Sequence, residues 1–264
     1  MPERTRAQGD PRPSRDPIKV TVRRTEWLTA SMVRVVLAGN AVRTLPSPGH
    51  TDTYVRLVFD AEHTPRAYTL RSVDRAAGEL AIDFLVHGDE GIAGPWAAAA
   101  QPGDELTFLG PGSDWAPRPD ADAHLFVGDE SALPAIASGL ESLLANRPPA
   151  VATVFAEVAE RGLEYPLPEG PGLTAIWVYR DGAAYGEPLV KAVLDAPFPQ
   201  GDVEAFVHGN ADMVRPLRRY LLRERGLARE KLSISGYWRV GHTDDAWRAV
   251  KREFNAAMEA EAGA

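Results

Sequence analysis

The stretch AHLFVGDESALPAI, residues 123–136, marks the point at which the chain changes its fold pattern. Residues 123–128 form an apolar run of strand length, and residues 131–146 then carry leucine, isoleucine and alanine at helical spacing on one face. A strand that turns directly into an amphipathic helix is typical of an α/β domain. Further strand-like runs, with helical segments between them, occupy residues 151–158, 173–179, 203–208 and 232–235. We therefore predict a mostly parallel sheet covered by helices at 187–194 and 211–225 as well as 131–146.

Before residue 110 the pattern is that of a β-barrel. Six short runs, most of them rich in β-branched and aromatic residues, are separated by glycine, proline or aspartate. They cover residues 19–22, 32–37, 53–59, 66–71, 79–86 and 104–109. Six strands at this spacing predict a small antiparallel barrel. We thus expect four regions: a disordered tail (1–16), a barrel (17–118), an α/β domain (119–243) and a C-terminal helix with a tail (244–264). We also expect a cleft between the barrel and the α/β domain.

Composition excludes several classes of protein. The chain has 264 residues, 44% of them hydrophobic, which is enough for two ordinary domains. Its net charge of −8 argues against a nucleic-acid binder. The absence of cysteine excludes disulfides, thiolate nucleophiles and cysteine-ligated metals. No apolar run approaches roughly 18 residues, and the N-terminus lacks the apolar middle of a signal peptide, so we expect a cytoplasmic protein.

The most informative barrel segment is RAYTLR, residues 66–71. Strand alternation puts Arg66 and Tyr68 on one face, and Thr69 and Arg71 on the other. The guanidinium of Arg66 suits a pyrophosphate, the ring of Tyr68 can stack on a flat ring system, and Thr69 can hydrogen-bond the edge of that ring. An ordinary exposed strand is the alternative interpretation.

A second segment, residues 87–97, is rich in glycine and alanine, whose backbone N–H groups can approach a phosphate closely. With RAYTLR it predicts a site for a flavin dinucleotide. Trp96 either covers the cofactor or plugs the barrel end, the second being favoured, and His87 has ordinary packing as its alternative. The residues of this segment that we assign to the cofactor are His87, Ile92, Ala93, Gly94, Trp96 and Ala97.

Three polar residues, Asp129, Glu130 and Ser131, follow the strand at 123–128. The start of a helix at the carboxyl end of a parallel strand favours a phosphate or a nicotinamide, and adjacent carboxylates suit acid–base chemistry. Simple capping of the helix is the alternative. The chain has neither a Gly-x-Gly-x-x-Gly fingerprint nor a Walker A sequence, so a standard Rossmann site is not supported.

Two further features remain open. The helix at 211–225 carries five arginines, which either form a solvated face or attract the phosphates of a pyridine nucleotide. Arg239, between aromatic residues and glycines in residues 236–241, either faces a substrate or packs at a strand end.

In combination and in order, these segments resemble the siderophore-interacting proteins, flavin-dependent ferric-siderophore reductases related to the ferredoxin reductases. The resemblance covers roughly residues 19–245 and rests also on residues 28–35, 102–104 and 110–111. It implies FAD held by Arg66, Tyr68, Thr69, His87 and the loop at 92–97. It also implies electron transfer from NADPH, NADH or a ferredoxin to siderophore-bound Fe(III), which is released as Fe(II). No protein metal ligand and no catalytic side chain is required.

The chain departs from that family at two positions. Asn210 stands where relatives commonly have a glutamate, and Gly94 where many have a serine. Arg56 and Arg239 are the residues expected to attract an anionic ferric siderophore, and a monomer that binds neither nucleic acid nor membrane is expected. The alternatives are a general flavin or ferric-chelate reductase, and a non-catalytic siderophore-binding protein.

Overall fold

The computed structural model describes residues 16–46, 49–59, 65–87, 91–146 and 150–263. The chain divides into two compact units. The first comprises Met1–Trp27 and Val33–Ala116, and the second Leu28–Met32 and Pro117–Ala264. Apart from Asp16, the expected N-terminal tail lies outside the described residues. The domain boundaries drawn from sequence remain a prediction.

The first unit is built on a seven-stranded antiparallel sheet with the order β4-β3-β7-β1-β2-β6-β5. Alternate residues of its strands, such as Val33, Val35 and Leu37, point into one apolar core. A short helix, α1 (Ala93–Ala99), packs near the end of β6. The strands are β1 (Ile18–Thr29), β2 (Met32–Ala38), β3 (Tyr54–Val58), β4 (Arg66–Thr69), β5 (Ser72–Asp74), β6 (Glu79–Leu85) and β7 (Glu105–Gly112).

This sheet corrects the predicted six-stranded barrel in two respects: it is barrel-like, but it has seven strands and it is not closed. The run at 66–71, which was predicted as a single strand, pairs with β3 at first and with β6 at its last residue. The N–H of Leu70 donates to the carbonyl of Thr53 at 2.8 Å, whereas the N–H of Arg71 donates to Ala81 on β6 at 2.9 Å. The chain therefore leaves β3 at this point and continues as the separate strand β5.

The second unit has a five-stranded sheet with the order β10-β9-β8-β11-β12, and every pair in it is parallel. The predicted parallel sheet is thus confirmed. The central strands β8 and β11 are buried along their whole length, as expected when helices cover both faces. The strands are β8 (Ala123–Asp129), β9 (Ala152–Val158), β10 (Leu173–Tyr179), β11 (Val203–Asn210) and β12 (Leu232–Trp238).

Four helices belong to this unit: α2 (Leu133–Asn146), α3 (Glu187–Asp195), α4 (Ala211–Arg219) and α5 (Asp244–Gly263). The helix predicted at 211–225 is shorter, because a π-helical turn, Tyr220–Glu224, follows α4. In this turn the N–H of Arg225 donates to the carbonyl of Tyr220, five residues earlier, at 3.0 Å. None of the helices in the described residues combines the length and the hydropathy needed to cross a membrane.

Candidate functional site

In the first unit, the predicted cofactor residues begin on β4, which is the last strand at one side of the sheet. The N–H of Leu70 points back toward β3, where it donates to Thr53. Antiparallel pairing alternates the direction of successive N–H groups, so those of Ala67 and Thr69 point away from β3. The edge of β4 therefore presents backbone donors suited to a flat, polar ligand.

The side chains of β4 surround this edge with the expected chemistry. Arg66, Tyr68 and Thr69 are half-buried, as is Arg71 just beyond the strand. The ring of Tyr68 lies 4.6 Å, centroid to centroid, from that of Phe84 in the core, and this contact fixes the ring's position. One short strand thus brings together a guanidinium, an aromatic ring and a hydroxyl.

The predicted phosphate loop at 92–97 is largely the helix α1. Its N-cap residue Ile92 supplies no side-chain acceptor, and its first turn has no acidic residue. Pro95 has no N–H, and the N–H of Trp96 donates to the carbonyl of Ile92 at 3.2 Å. The N–H groups of Ala93 and Gly94 are therefore the ones without a side-chain acceptor among the described residues. A Cβ at Gly94 would lie 3.1 Å from the carbonyl of Leu85, so the departure to glycine allows α1 to approach the end of β6 closely.

Trp96 packs against the core of the first unit. Its ring centroid lies 5.5 Å from that of Phe59 and 5.8 Å from that of Phe84, which supports the interpretation of Trp96 as a plug. Ala93 and Ala97 are buried beside it. His87 is exposed, and residues 88–90 of the same segment lie outside the described residues.

In the second unit, Asp129 lies at the carboxyl end of β8 and joins three strands. Its carboxylate accepts hydrogen bonds from the N–H and the hydroxyl of Ser131 (3.0 and 2.5 Å), the N–H of Asn210 (2.7 Å) and the indole of Trp238 (2.9 Å). Burial, helped by the charge of Glu130, raises the pKa of Asp129 to about 6, although these hydrogen bonds oppose the change.

The backbone beside this carboxylate leaves no room for a side chain. Gly209 has a φ of 133°, and a Cβ there would lie 2.7 Å from the carboxylate of Asp129. The next residue, Asn210, caps α4 by accepting the N–H of Asp212 at 2.8 Å. Its buried side-chain nitrogen has no partner within the described part of the chain. Asn210 thus serves as a helix cap.

Glu130 is engaged in a buried ion network. Arg180, directly after β10, donates to both of its carboxylate oxygens at 2.7 and 2.9 Å, and to Glu157 at 3.1 Å. Glu157 also accepts the N–H groups of Gly186 and Leu189, at 3.0 and 3.3 Å. Burial alone would lower the pKa of Arg180, but the two carboxylates outweigh it and raise that pKa.

This network ends in an aromatic surface. The guanidinium of Arg180 lies 4.1 Å from the ring centroid of Tyr185, and Tyr185 meets Trp238 edge-to-face at 4.8 Å. Tyr185 is 42% exposed. The carboxyl edge of the parallel sheet therefore presents rings to the solvent, with its charges paired behind them.

The two arginines predicted to attract substrate differ in their surroundings. Arg56 is half-buried on β3, opposite Ala67 of β4, and its guanidinium makes no hydrogen bond or ion pair within the described residues. Arg239 instead pairs with Asp212 at 3.0 Å and lies 5.6 Å from the ring of Phe254. The charge of Arg239 is thus partly neutralised, whereas no described residue neutralises that of Arg56.

Sequence reasoning did not identify Glu157, Arg180 and Tyr185 as parts of this edge. Two signals were available for them. Glu157 is a charge inside an otherwise apolar strand, and Arg180 follows a predicted strand directly. Both patterns are typical of residues at the carboxyl edge of a parallel sheet.

Comparison with known proteins agrees with both units. Residues 60–115 match the family model described as siderophore-interacting FAD-binding domain, and residues 121–241 match the one described as siderophore-interacting protein. The chain is 31% identical to the ferric vibriobactin reductase of Vibrio cholerae, over 85% of this chain and 90% of that protein. It is 30% identical to the NADPH-dependent ferric-chelate reductase of Escherichia coli, over 83% of this chain and 92% of that protein.

A solved structure shares the architecture. The siderophore utilization protein from T. fusca superposes with a TM-score of 0.76 at 35% identity, covering 87% of this chain and 95% of that one.

Proposed function

Since this chain belongs to the siderophore-interacting protein family, we propose that it is an FAD-dependent reductase of ferric siderophores. It would take electrons from NADPH or NADH and release the iron as Fe(II). The observation that carries this proposal is the β4 edge, where Arg66, Tyr68 and Thr69 stand together inside the matched FAD-binding region. A protein that only carried a siderophore would have no use for this edge.

The described residues fit FAD. Arg66 offers a charge-assisted fork for the pyrophosphate, and the first turn of α1 has N–H groups without a side-chain acceptor. Tyr68 supplies an aromatic surface, and the outward N–H groups of β4 suit the polar edge of the ring system. We propose that the flavin is held by Arg66, Tyr68, Thr69, Arg71, His87, Ile92, Ala93, Gly94 and Ala97, with Trp96 packed behind them as a plug.

When bound, FAD supplies the conversion of a two-electron hydride into single electrons, which no amino-acid side chain provides. One NAD(P)H gives two electrons and a proton, and two Fe(III) ions accept one electron each. Siderophore oxygens hold Fe(II) less tightly than Fe(III), so the metal leaves after reduction. The protein binds and orients the reactants, and the iron keeps the ligands of the siderophore.

At the carboxyl edge of the second unit, Asp129 and Glu130 act by positioning. Each carboxylate is already occupied by donors of the chain itself, so neither is placed for proton transfer. We propose that Ser131 and the start of α2 receive the pyridine nucleotide, and that Tyr185 and Trp238 offer it an aromatic surface. Arg180 does not attract the nucleotide phosphates, because two carboxylates neutralise it.

Arg56 and Arg239 are proposed to attract the anionic ferric siderophore to a protein that is itself net negative. We further propose that the protein is a monomer in the cytoplasm and that ferredoxin is a second electron donor. The name of the relative from Escherichia coli supports a second candidate, a reductase that accepts ferric chelates in general.

The test begins with the cofactor. Flavin released from the purified protein by heat should run as FAD, since two segments, β4 and the start of α1, are proposed to bind its phosphates; FMN would contradict the assignment. Anaerobic bleaching of the flavin band is then compared with NADPH, NADH and reduced ferredoxin. Mixing the reduced protein with a panel of ferric siderophores and simple ferric chelates should restore the band fastest with a siderophore. Equal rates across the panel would favour the general reductase, and no reoxidation would overturn both.

A further inference from the structure

The second unit contains a cavity of about 420 Å³ between the end of α4, the π-turn and α5. A volume of this size is typical of a site for a small molecule. Because α4 starts at the carboxyl end of β11 and rises about 1.5 Å per residue, the cavity lies beyond the first turn of α4. Nothing in the proposed reductase chemistry uses it. Four arginines line it: Arg215, Arg218, Arg219 and Arg223.

Arg218 is the central observation. It is only 7% exposed, and one guanidinium nitrogen donates to the carbonyl of Met258 at 2.8 Å. No described carboxylate lies within ion-pair distance of it. Burial, with the nearby charge of Arg229, lowers its pKa, and the exposed Glu259 only partly opposes this. A buried charge to which the described residues supply no counter-ion is costly, and an anion bound in the cavity would remove that cost.

The remaining lining decides the class of anion. Arg219 meets the exposed Glu224 only at 3.9 Å, which is a weak surface pair. Together with the buried Arg218 it favours an anion whose oxygens match planar guanidinium forks, as those of phosphate do. Pro216, Leu222 and Met258 provide apolar surface in the same cavity. We propose that this cavity binds a phosphorylated small molecule, with its phosphate on the arginines and its organic part on the apolar residues. The proposal is independent of the reductase assignment.

The first test is calorimetric titration of the full-length, FAD-saturated protein at constant ionic strength. The probes are inorganic pyrophosphate and phenyl phosphate. Arg218→Gln should weaken binding of both by about tenfold or more, since it removes charge-assisted hydrogen bonds. Arg252→Gln is the matched control: it removes the same charge from an exposed position on α5 outside the cavity, and affinity should not change.

Arg218→Gln could also loosen α5, because Arg218 holds the carbonyl of Met258. Arg219→Gln, at an exposed lining position, should weaken binding severalfold with the melting temperature preserved. Glu259→Gln should tighten binding, because it removes a carboxylate that competes with the ligand. Hydrogen exchange should slow in α4, the π-turn and α5 when a phosphate binds. Equal affinity in the Arg218→Gln and Arg252→Gln variants, or no binding of either probe at millimolar concentration, would overturn the proposal.

Discussion

The buried network around Arg180 gives the sharpest test of how the carboxyl edge is held together. Arg180→Met removes three charge-assisted hydrogen bonds and leaves the carboxylates of Glu130 and Glu157 buried without their cation. Breaking a buried pair from one side typically costs about 3–5 kcal/mol. For a unit of this size, that corresponds to a fall of roughly 6–20 °C in melting temperature.

Arg118 is a matched control, because it also bridges two carboxylates, those of Asp120 and Asp202. Asp120 is exposed, and the half-buried Asp202 keeps its ion pair with Lys231, so Arg118→Met should cost about 1 kcal/mol or less. Both variants are unfolded in urea with saturating FAD and followed by helical circular dichroism, which reports mainly on the second unit because it holds four of the five helices.

The pH dependence separates lost charge pairing from lost packing. Burial already raises the pKa of Glu157, and without Arg180 that pKa must rise further. The folded variant then binds protons more tightly than the unfolded chain, so its deficit should shrink as the pH falls from 8 toward 5. A deficit equal to that of Arg118→Met, or one that does not change with pH, would refute the role of the network.

Three other perturbations test the sites themselves. Arg66→Ala should weaken FAD binding about tenfold to a hundredfold, the value of a charge-assisted fork. The control, Arg24→Ala, breaks only a surface pair with Glu79. If fluorescence titration gives both variants the same affinity for FAD, Arg66 is an ordinary strand residue. With its pKa raised from 3.8 to about 6, Asp129 makes the folded state less stable above pH 6, and this cost is relieved as the pH falls toward 4. Relative to Asp129→Asn, the wild type should therefore gain about 2 kcal/mol of unfolding free energy between pH 7 and pH 4, and parallel curves would contradict the assignment. Arg56→Glu should slow reduction of an anionic ferric chelate more than that of a neutral one, with flavin content unchanged and the effect reduced by salt; Arg239→Glu should do less, because Asp212 already pairs with that arginine, and equal slowing of both chelates would indicate damage to the fold.

The local sequence pattern was sufficient to predict an element wherever the signal lies within the element's own residues. The strand at 173–179 was predicted with its observed bounds, because an apolar run there lies between Gly172 and Asp181-Gly182. β5 was missed since three residues show no periodicity and its pairing depends on the turn at Leu70. α1 was predicted as a loop because glycine and proline favour loops. It is helical where small residues pack against the end of β6.

The residues of the candidate site also differ in how well a local sequence pattern predicts them. RAYTLR is contiguous, so its chemistry could be recognised from sequence, and the structure adds that β4 is an edge strand. Glu157 and Arg180 are separated in the chain and meet through strand register, which pairs Val158 with Tyr179. Register between parallel strands is set by packing of the whole sheet, so a local pattern does not reveal this contact.

The crowded carboxylate of Asp129 constrains how this protein can change over evolutionary time. A side chain at Gly209 would collide with it, Asn210 donates its backbone N–H to it, and the indole of Trp238 depends on it for an acceptor. Asn210 contributes only its backbone N–H, so a substitution at Asp129, Gly209 or Trp238 is what alters the requirements at the other two. We expect these positions to covary among homologues. A designer who wishes to alter the preference for an electron donor proposed to bind at this edge should exchange them as a set.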